Sequence, residues 1–302
     1  MENKPGGANS EMNMIRNKSA LIMSLAISSA VLLSACGTSA QAPGGGTGGQ
    51  GTVSGIITVS GSTSVQPLVQ DLADIFNETE PGVSIEIPGG GSRQGIKDVS
   101  QGISDMGNSS RDLTDEEKKL GITEHIIAYD GIAVVTHPSN PVTDLTMDQI
   151  KDIFKGEINN WKEVGGPDRE ILVVTREEGS GTRTAFEEML KLQVKKNGYT
   201  VSHIISNALV ADGNGSIKAN IAAKDNAIGY TSLGYVDNTM KKISIDGIEC
   251  MAESIKNKTY PVSRQFLILT KGEVRPEVKA FLDFILGDAG QEVVSKTYIA
   301  IR

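Results

Sequence analysis

A chain of 302 residues is long enough for two domains of ordinary size, and 38% hydrophobic with 22% charged residues excludes wholesale disorder. The formal net charge of −8 argues against a nucleic-acid partner held through phosphate contacts, because such proteins carry a basic surface. A small anion stays open, since a buried site feels nearby dipoles and donors more strongly than distant, screened charge.

The chain begins with a segment that does not read as part of a fold. Arg16 and Lys18 precede an apolar run from Ala20 to Leu33, which ends in Leu33-Ser34-Ala35-Cys36-Gly37. A basic region, a short apolar region and small residues before a cysteine resemble a bacterial lipoprotein signal. That implies a signal peptide over residues 1–35, cleaved before Cys36, with lipid attached to the Cys36 sulfur. A membrane-spanning helix is the alternative, but the run is short for one. Met12 or Met14 offers a later start than Met1. Residues 36–54 are almost entirely Gly, Ser, Thr, Gln and Ala, the composition of a flexible tether. Beyond Cys36 only Cys250 remains, which leaves no disulfide within the mature chain and no cysteine-based metal site.

From Ile56 strand-like runs alternate with helical patterns, which predicts an α/β architecture. Ile56–Val59 reads as a strand, followed by a helix carrying Val65, Leu68, Val69, Leu72 and Phe76. Val83–Ile87 reads as a second strand, and Ile96, Val99 and Ile103 as the buried face of a second helix. Ile132–Thr136 follows as a strand, then Thr146 to Gln149 as a capping box opening a helix with Ile150, Ile153 and Phe154. Ile171–Val174 leads through Arg176 to a helix whose face holds Ala185, Phe186, Met189, Leu190 and Val194. Ile228–Tyr230 and Phe266–Leu269 read as buried strands, and a last helix runs from Pro276 to its stop at Gly287.

Three of the strand-to-helix turns are rich in Gly, Ser and Thr: residues 61–64, 89–92 and 176–182. The first N–H groups of a helix have no partner within it and carry the positive end of the dipole, so such turns suit anions. In the third, Gly179 and Gly181 permit close approach, Ser180 and Thr182 add hydroxyls, and Arg176 offers a planar fork of donors. Each turn is equally readable as an ordinary capped turn, with Arg176 as a surface charge. A fourth polar stretch, Asp105 to Asp112, reads either as a pocket wall or as a surface loop in which Arg111 pairs with nearby acids.

Taken in this order behind a lipoprotein signal, the motifs resemble the phosphate-binding proteins of bacterial phosphate ABC transporters, the PstS family. The resemblance runs from about Ile56 to the C-terminus. It implies the two-lobed class II periplasmic binding protein fold, two α/β lobes joined by two crossing strands. Lobe one would comprise 55–132 plus 262–302 and lobe two 133–261, with crossings near Gly131–Thr136 and Tyr260–Gln265. Inorganic phosphate would be held between the lobes by Thr63, Ser64, Ser92, Ser110, Arg176, Ser180, Gly181 and Thr182. Ser62, Asn108, Ser109 and Arg111 stand as a second tier, and Glu178 as the acid that orients Arg176. The resemblance further implies a monomeric, lipid-anchored receptor delivering phosphate to ABC permease subunits at the cell membrane, with no cofactor and no metal. Another tetrahedral oxyanion (sulfate, arsenate or molybdate), and a sensing or adhesion role, are the alternatives.

One position departs from the family pattern. Ser110 stands where well-known members carry an aspartate that accepts the proton of hydrogen phosphate and repels sulfate. An enzyme built on Ser180 is disfavoured, because none of His125, His137 and His203 lies in a recognisable catalytic motif and the turn is not Gly-x-Ser-x-Gly.

Overall fold

The computed structural model describes residues 53–302, so the expected signal peptide, Cys36 and nearly all of the tether lie outside the described residues. The order of elements is β1 (Gly55–Gly61), α1 (Gln66–Thr79), β2 (Val83–Glu86), α2 (Ser92–Gln101), β3 (Met106–Ser109), α3 (Asp115–Lys118), β4 (Ile122–Thr136), β5 (Asp144–Leu145) and α4 (Met147–Lys155). Then come β6 (Leu172–Arg176), α5 (Gly181–Met189), β7 (Gln193–Lys196), β8 (Tyr199–Ser202), β9 (Leu209–Ala211), α6 (Gly213–Ala223), β10 (Ala227–Ser232), β11 (Lys241–Ile245), α7 (Ala252–Lys256), β12 (Ser263–Lys271), α8 (Pro276–Leu286) and α9 (Asp288–Ser295).

Ten strands form one mixed sheet in the order β2-β1-β3-β12-β4-β10-β6-β9, with β11 pairing to β4 and β5 to β11; β7 and β8 form a separate hairpin. Strand β4 is what joins the two halves. Its first part, Ile122–Gly131, pairs antiparallel with β12, and its second, Ile132–Thr136, pairs antiparallel with β10. At roughly 3.3 Å per residue, such a strand reaches through both halves of the molecule.

Each half encloses its own core. One is built from Ile57, Leu68, Phe76, Ala128, Phe266, Phe281 and their neighbours, the other from Ile132, Val134, Phe154, Phe186, Ile228, Tyr230 and theirs. The two-lobed α/β architecture follows from this. A sheet bent at one shared strand buries two separate apolar surfaces, each covered by its own helices. In the first half, Phe76 of α1 meets Phe281 and Phe284 of α8 at 5.1 and 5.5 Å between ring centroids. In the second, Phe186 of α5 stacks on Tyr230 of β10 at 3.9 Å, with Phe154 against both.

At the bend the backbone is crowded. A Cβ on Gly131 would lie 2.5 Å from Cys250 Sγ and 2.7 Å from Ile255 Cδ1, so only glycine fits there. Beside it, Asp130 is fully buried and takes Nε and Nη2 of Arg264 at 3.0 and 2.8 Å, with Ser232 Oγ and Leu233 N donating to its other oxygen.

Several elements differ from expectation for identifiable reasons. Ile103 is 65% exposed, because Gly102 adopts φ +69° and ends α2 before the apolar spacing is complete. Val194 leaves the face of α5, since the helix stops at Met189 and Lys191 at φ +54° turns the chain into the β7–β8 hairpin. Met106–Ser109, read as part of a loop, is a buried strand between β1 and β12. Gly287 both ends α8 and precedes a further helix, α9.

Candidate functional site

Arg176 is the last residue of β6, where it pairs with Ala211 of β9, and its side chain is 1% exposed. Its backbone N–H donates to the Tyr230 hydroxyl at 3.3 Å; burial pushes that phenol up to about 12, so it stays protonated. Ser180 caps α5, its Oγ accepting from Arg183 N at 3.2 Å, which leaves the hydroxyl proton free to donate elsewhere. Gly181 and Thr182 follow as the first residues of the helix.

The other half of the sheet meets this turn directly. A Cβ on Gly181 would lie 2.2 Å from Ser92 Oγ and 2.7 Å from Ser110 Oγ, so the absence of a side chain is what lets the halves approach. Ser64 Oγ lies 2.7 Å from Thr182 Oγ1, Arg176 Nη2 donates to Thr63 Oγ1 at 3.1 Å, and Arg93 N donates to Gly179 O at 3.1 Å. Within the first half, Ser62 Oγ donates to Ser110 Oγ at 2.8 Å, Ser110 N donates to Ser92 Oγ at 3.1 Å, and Ser64 N donates to Ser62 Oγ at 3.2 Å. All eight expected site residues, with Ser62, therefore belong to one buried cluster; only Thr63 among them is half-buried.

The guanidinium at its centre is unevenly used. Nε and Nη2 each donate to Glu177 at 2.7 Å, whereas Nη1, also buried, has no hydrogen-bond partner among the described residues. Burial pushes the Glu177 carboxyl up, but the bonds and charge of Arg176 and the N–H of Gly213 outweigh it and hold the group below its ordinary value. The orienting acid is thus Glu177 and not Glu178, which is exposed and makes no bond to Arg176. Arg176 is the last strand residue, so Glu177 already lies in the turn, where strand alternation no longer sends its side chain to the opposite face.

Two second-tier residues serve elsewhere. Arg111 donates Nη1 and Nη2 to the two oxygens of Glu117 at 2.7 and 2.8 Å, so its charge is spent on an ion pair in its own half. Ser109 Oγ is bonded to the backbone of Arg111 and forms a local turn. Asn108 is fully buried, with its side-chain N and O unpartnered among the described residues; its Oδ1 would stand 2.9 Å from a Cβ on Gly61.

Two participants were not anticipated. Asn214, the second residue of α6, donates Nδ2 to Ser64 Oγ at 2.9 Å and to Thr63 Oγ1 at 3.3 Å. Tyr235 donates its hydroxyl to Thr63 O at 2.8 Å. The signal for Asn214 was present in Ala211-Asp212-Gly213-Asn214-Gly215-Ser216, a fourth Gly-rich turn from strand to helix. Tyr235 carries no such signal, because it lies in a short 3-10 turn after β10.

Outside the cluster lies a polar crevice of about 410 Å³ between the halves, walled by Arg93, Arg111, Glu117, Glu178, Arg183 and Glu187. Among the described residues no three His, Cys, Asp or Glu side chains are grouped as a metal site would need, and no helix is long and apolar enough to cross a membrane.

The chain and its architecture have counterparts. Residues 38–289 match the family model of the PBP superfamily domain. The phosphate-binding protein PstS of Bacillus subtilis is 32% identical over 298 residues, covering 95% of each chain, and that of Borreliella burgdorferi is 29% identical over 80% of this chain and 88% of its own. Among solved structures, a phosphate ABC transporter substrate-binding protein from Clostridium perfringens with bound phosphate superposes with a TM-score of 0.78 at 46% identity, covering 82% of this chain and 100% of that one. An ABC-type phosphate transport receptor from Vibrio cholerae gives 0.68 at 37% identity, over 80% and 99% of the two chains.

Proposed function

This chain belongs to the PstS family of phosphate-binding proteins, within the PBP superfamily, and from that premise we propose that it captures inorganic phosphate between its lobes and delivers it to an ABC permease. The observation that carries the reading is Arg176 Nη1, a buried charged donor without a hydrogen-bond partner among the described residues, on a guanidinium that belongs to a cluster of hydroxyls from both halves of the sheet. A buried donor of this kind is costly unless a ligand satisfies it. An oxyanion does so and gains bonds from Thr63, Ser64, Ser92, Ser110, Ser180, Thr182 and the N–H groups opening α5. Because these groups come from both lobes, the full set of bonds exists only when the lobes are together, and binding favours closure. In this reading lobe one is 55–132 plus 262–302, lobe two is 133–261, and Gly131 marks one crossing.

The protein acts by binding and release, with no bond made or broken. Cleavage before Cys36 and lipid attachment to it would tether a monomeric receptor to the extracytoplasmic face of the cell membrane, with residues 36–54 as the leash. Calorimetric titration with phosphate tests the reading. Trp161 is buried in the second core, its Nε1 bonded to Asn226 O, so heat is the better signal than fluorescence. Saturable one-to-one binding is expected; no saturable heat would overturn the proposal.

Ser110 favours a second, broader ligand class. Among the described residues, no carboxylate is hydrogen-bonded to Ser62, Thr63, Ser64, Ser92, Ser110, Ser180 or Thr182. With the Glu177 carboxylate engaged by Arg176 and none on these hydroxyls, sulfate is expected to compete with phosphate. Ser110→Asp should raise the preference for phosphate over sulfate, as read by competition calorimetry. An unchanged ratio would mean that discrimination is set at another position.

A further inference from the structure

We infer that Asn214 is a positioning residue of the anion site, whose amide, together with Arg176, turns the hydroxyl of Thr63 into a dedicated donor toward the ligand and narrows the choice open to that of Ser64. The inference rests on the reading of the cleft as an oxyanion site and concerns how its donors are aimed.

The orientation of the Asn214 amide is fixed from behind. It is fully buried, and its Oδ1 accepts from Thr231 Oγ1 at 3.0 Å and from Ser232 N at 3.4 Å. A backbone N–H can only donate, so the oxygen faces β10 and the NH2 faces the cleft. There Nδ2 reaches Ser64 Oγ at 2.9 Å and Thr63 Oγ1 at 3.3 Å, while Arg176 Nη2 reaches the same Thr63 oxygen at 3.1 Å. A hydroxyl has two acceptor positions and one proton. Both acceptor positions of Thr63 are occupied by groups that can only donate, and its proton is the one thing left to offer. Ser64 has one acceptor position taken in the same way, with Thr182 Oγ1 as its other side-chain partner among the described residues. A freely rotating hydroxyl would present a lone pair to an anion as readily as a proton; Asn214 removes that choice. Its bonds also run from one half of the sheet to the other, so the aim is set when the halves are together.

The test compares phosphate affinity of the full chain carrying Asn214→Asp or Asn214→Ala, by calorimetry from pH 8 to pH 5. The ionised aspartate would accept from Thr63 and Ser64 and turn their protons away from the ligand, which should weaken binding about 100-fold, against about 10-fold or less for alanine. On protonation the carboxyl regains one donor in place of the amide's two. The ratio of wild-type to Asn214→Asp affinity, taken at each pH so that phosphate's own titration cancels, should therefore shrink as pH falls. Charged groups linked to the position by hydrogen bonds are Arg176 through Thr63, Glu177 through Gly213 N, and Asp130 with Arg264 through Ser232. They are common to every protein in the comparison.

Equal weakening of both variants with a ratio flat in pH would show a merely structural role and overturn the inference, as would affinities within two-fold of wild type. Should the aspartate variant fail to fold, Thr63→Val removes the aimed proton while leaving the amide in place. A several-fold loss is expected of it, and wild-type affinity would overturn the inference equally. Failure of the unmodified protein to bind phosphate would instead remove the function proposed above.

Discussion

Arg176→Ala is expected to weaken phosphate binding by roughly 10- to 100-fold, since it removes charge-assisted bonds worth about 1.5–3 kcal/mol. Two features of the site make this the most sensitive position. The guanidinium is 1% exposed, so little solvent screens it, and Nη1 has no competing partner among the described residues. The substitution also leaves Glu177 behind, a carboxylate whose charge Arg176 and Gly213 N now balance. In the alanine variant that charge would face an incoming anion. The double variant Arg176→Ala with Glu177→Gln should therefore bind phosphate more tightly than Arg176→Ala alone, whereas adding Glu178→Gln instead should change nothing, because Glu178 is exposed. Calorimetry on the four proteins checks this. Wild-type affinity in Arg176→Ala would remove the arginine from the site.

Arg264→Ala should cost about 3–5 kcal/mol of stability at neutral pH, because it strands a fully buried carboxylate at the bend between the lobes. In a chain of this size the melting temperature would fall by roughly 10 °C. The loss carries a pH signature. Burial already pushes the Asp130 carboxyl above its ordinary value, with the charge and bonds of Arg264 opposing; without the guanidinium it rises further. A carboxyl with a raised pKa in the folded state binds more protons there than in the unfolded chain. Its favourable contribution is fully present below the unfolded pKa, near 3.8, and is lost as pH climbs through the higher folded value. The gap in melting temperature between wild type and variant should accordingly narrow from pH 7 toward pH 4.5. A gap that stays constant or widens on acidification would contradict this account of the pair.

What was legible in the sequence was whatever depends on local order. The turns at 61–64, 89–92 and 176–182 could be read because a helix start needs particular residues at particular places, and those residues are neighbours in the chain. The buried faces of α1 and α8 followed from apolar spacing for the same reason. Less was visible where a role depends on what arrives from elsewhere. Glu177 and Glu178 are chemically alike, and which of them folds back on Arg176 depends on the turn that follows β6. Arg111 looked available because Glu117 is six residues away, beyond the turn that brings them together. Asn214 had the right grammar but a task that exists only because Thr63 and Arg176 meet it across the cleft. The first ten residues of β4 were missed because Ile122–Gly131 mixes exposed and buried positions, and its partner β12 lies more than a hundred residues later.

Whether one oxyanion is held by groups from both lobes around Arg176 is tested most directly by a crystal structure of the protein grown with phosphate. A single anion is expected within hydrogen-bond distance of Arg176 Nη1, touching Thr63, Ser64 and Ser110 on one side and Ser180, Gly181 and Thr182 on the other. Phosphate seated in the outer crevice by Arg93 and Arg183, or bound to one lobe alone with Arg176 Nη1 untouched, would contradict it.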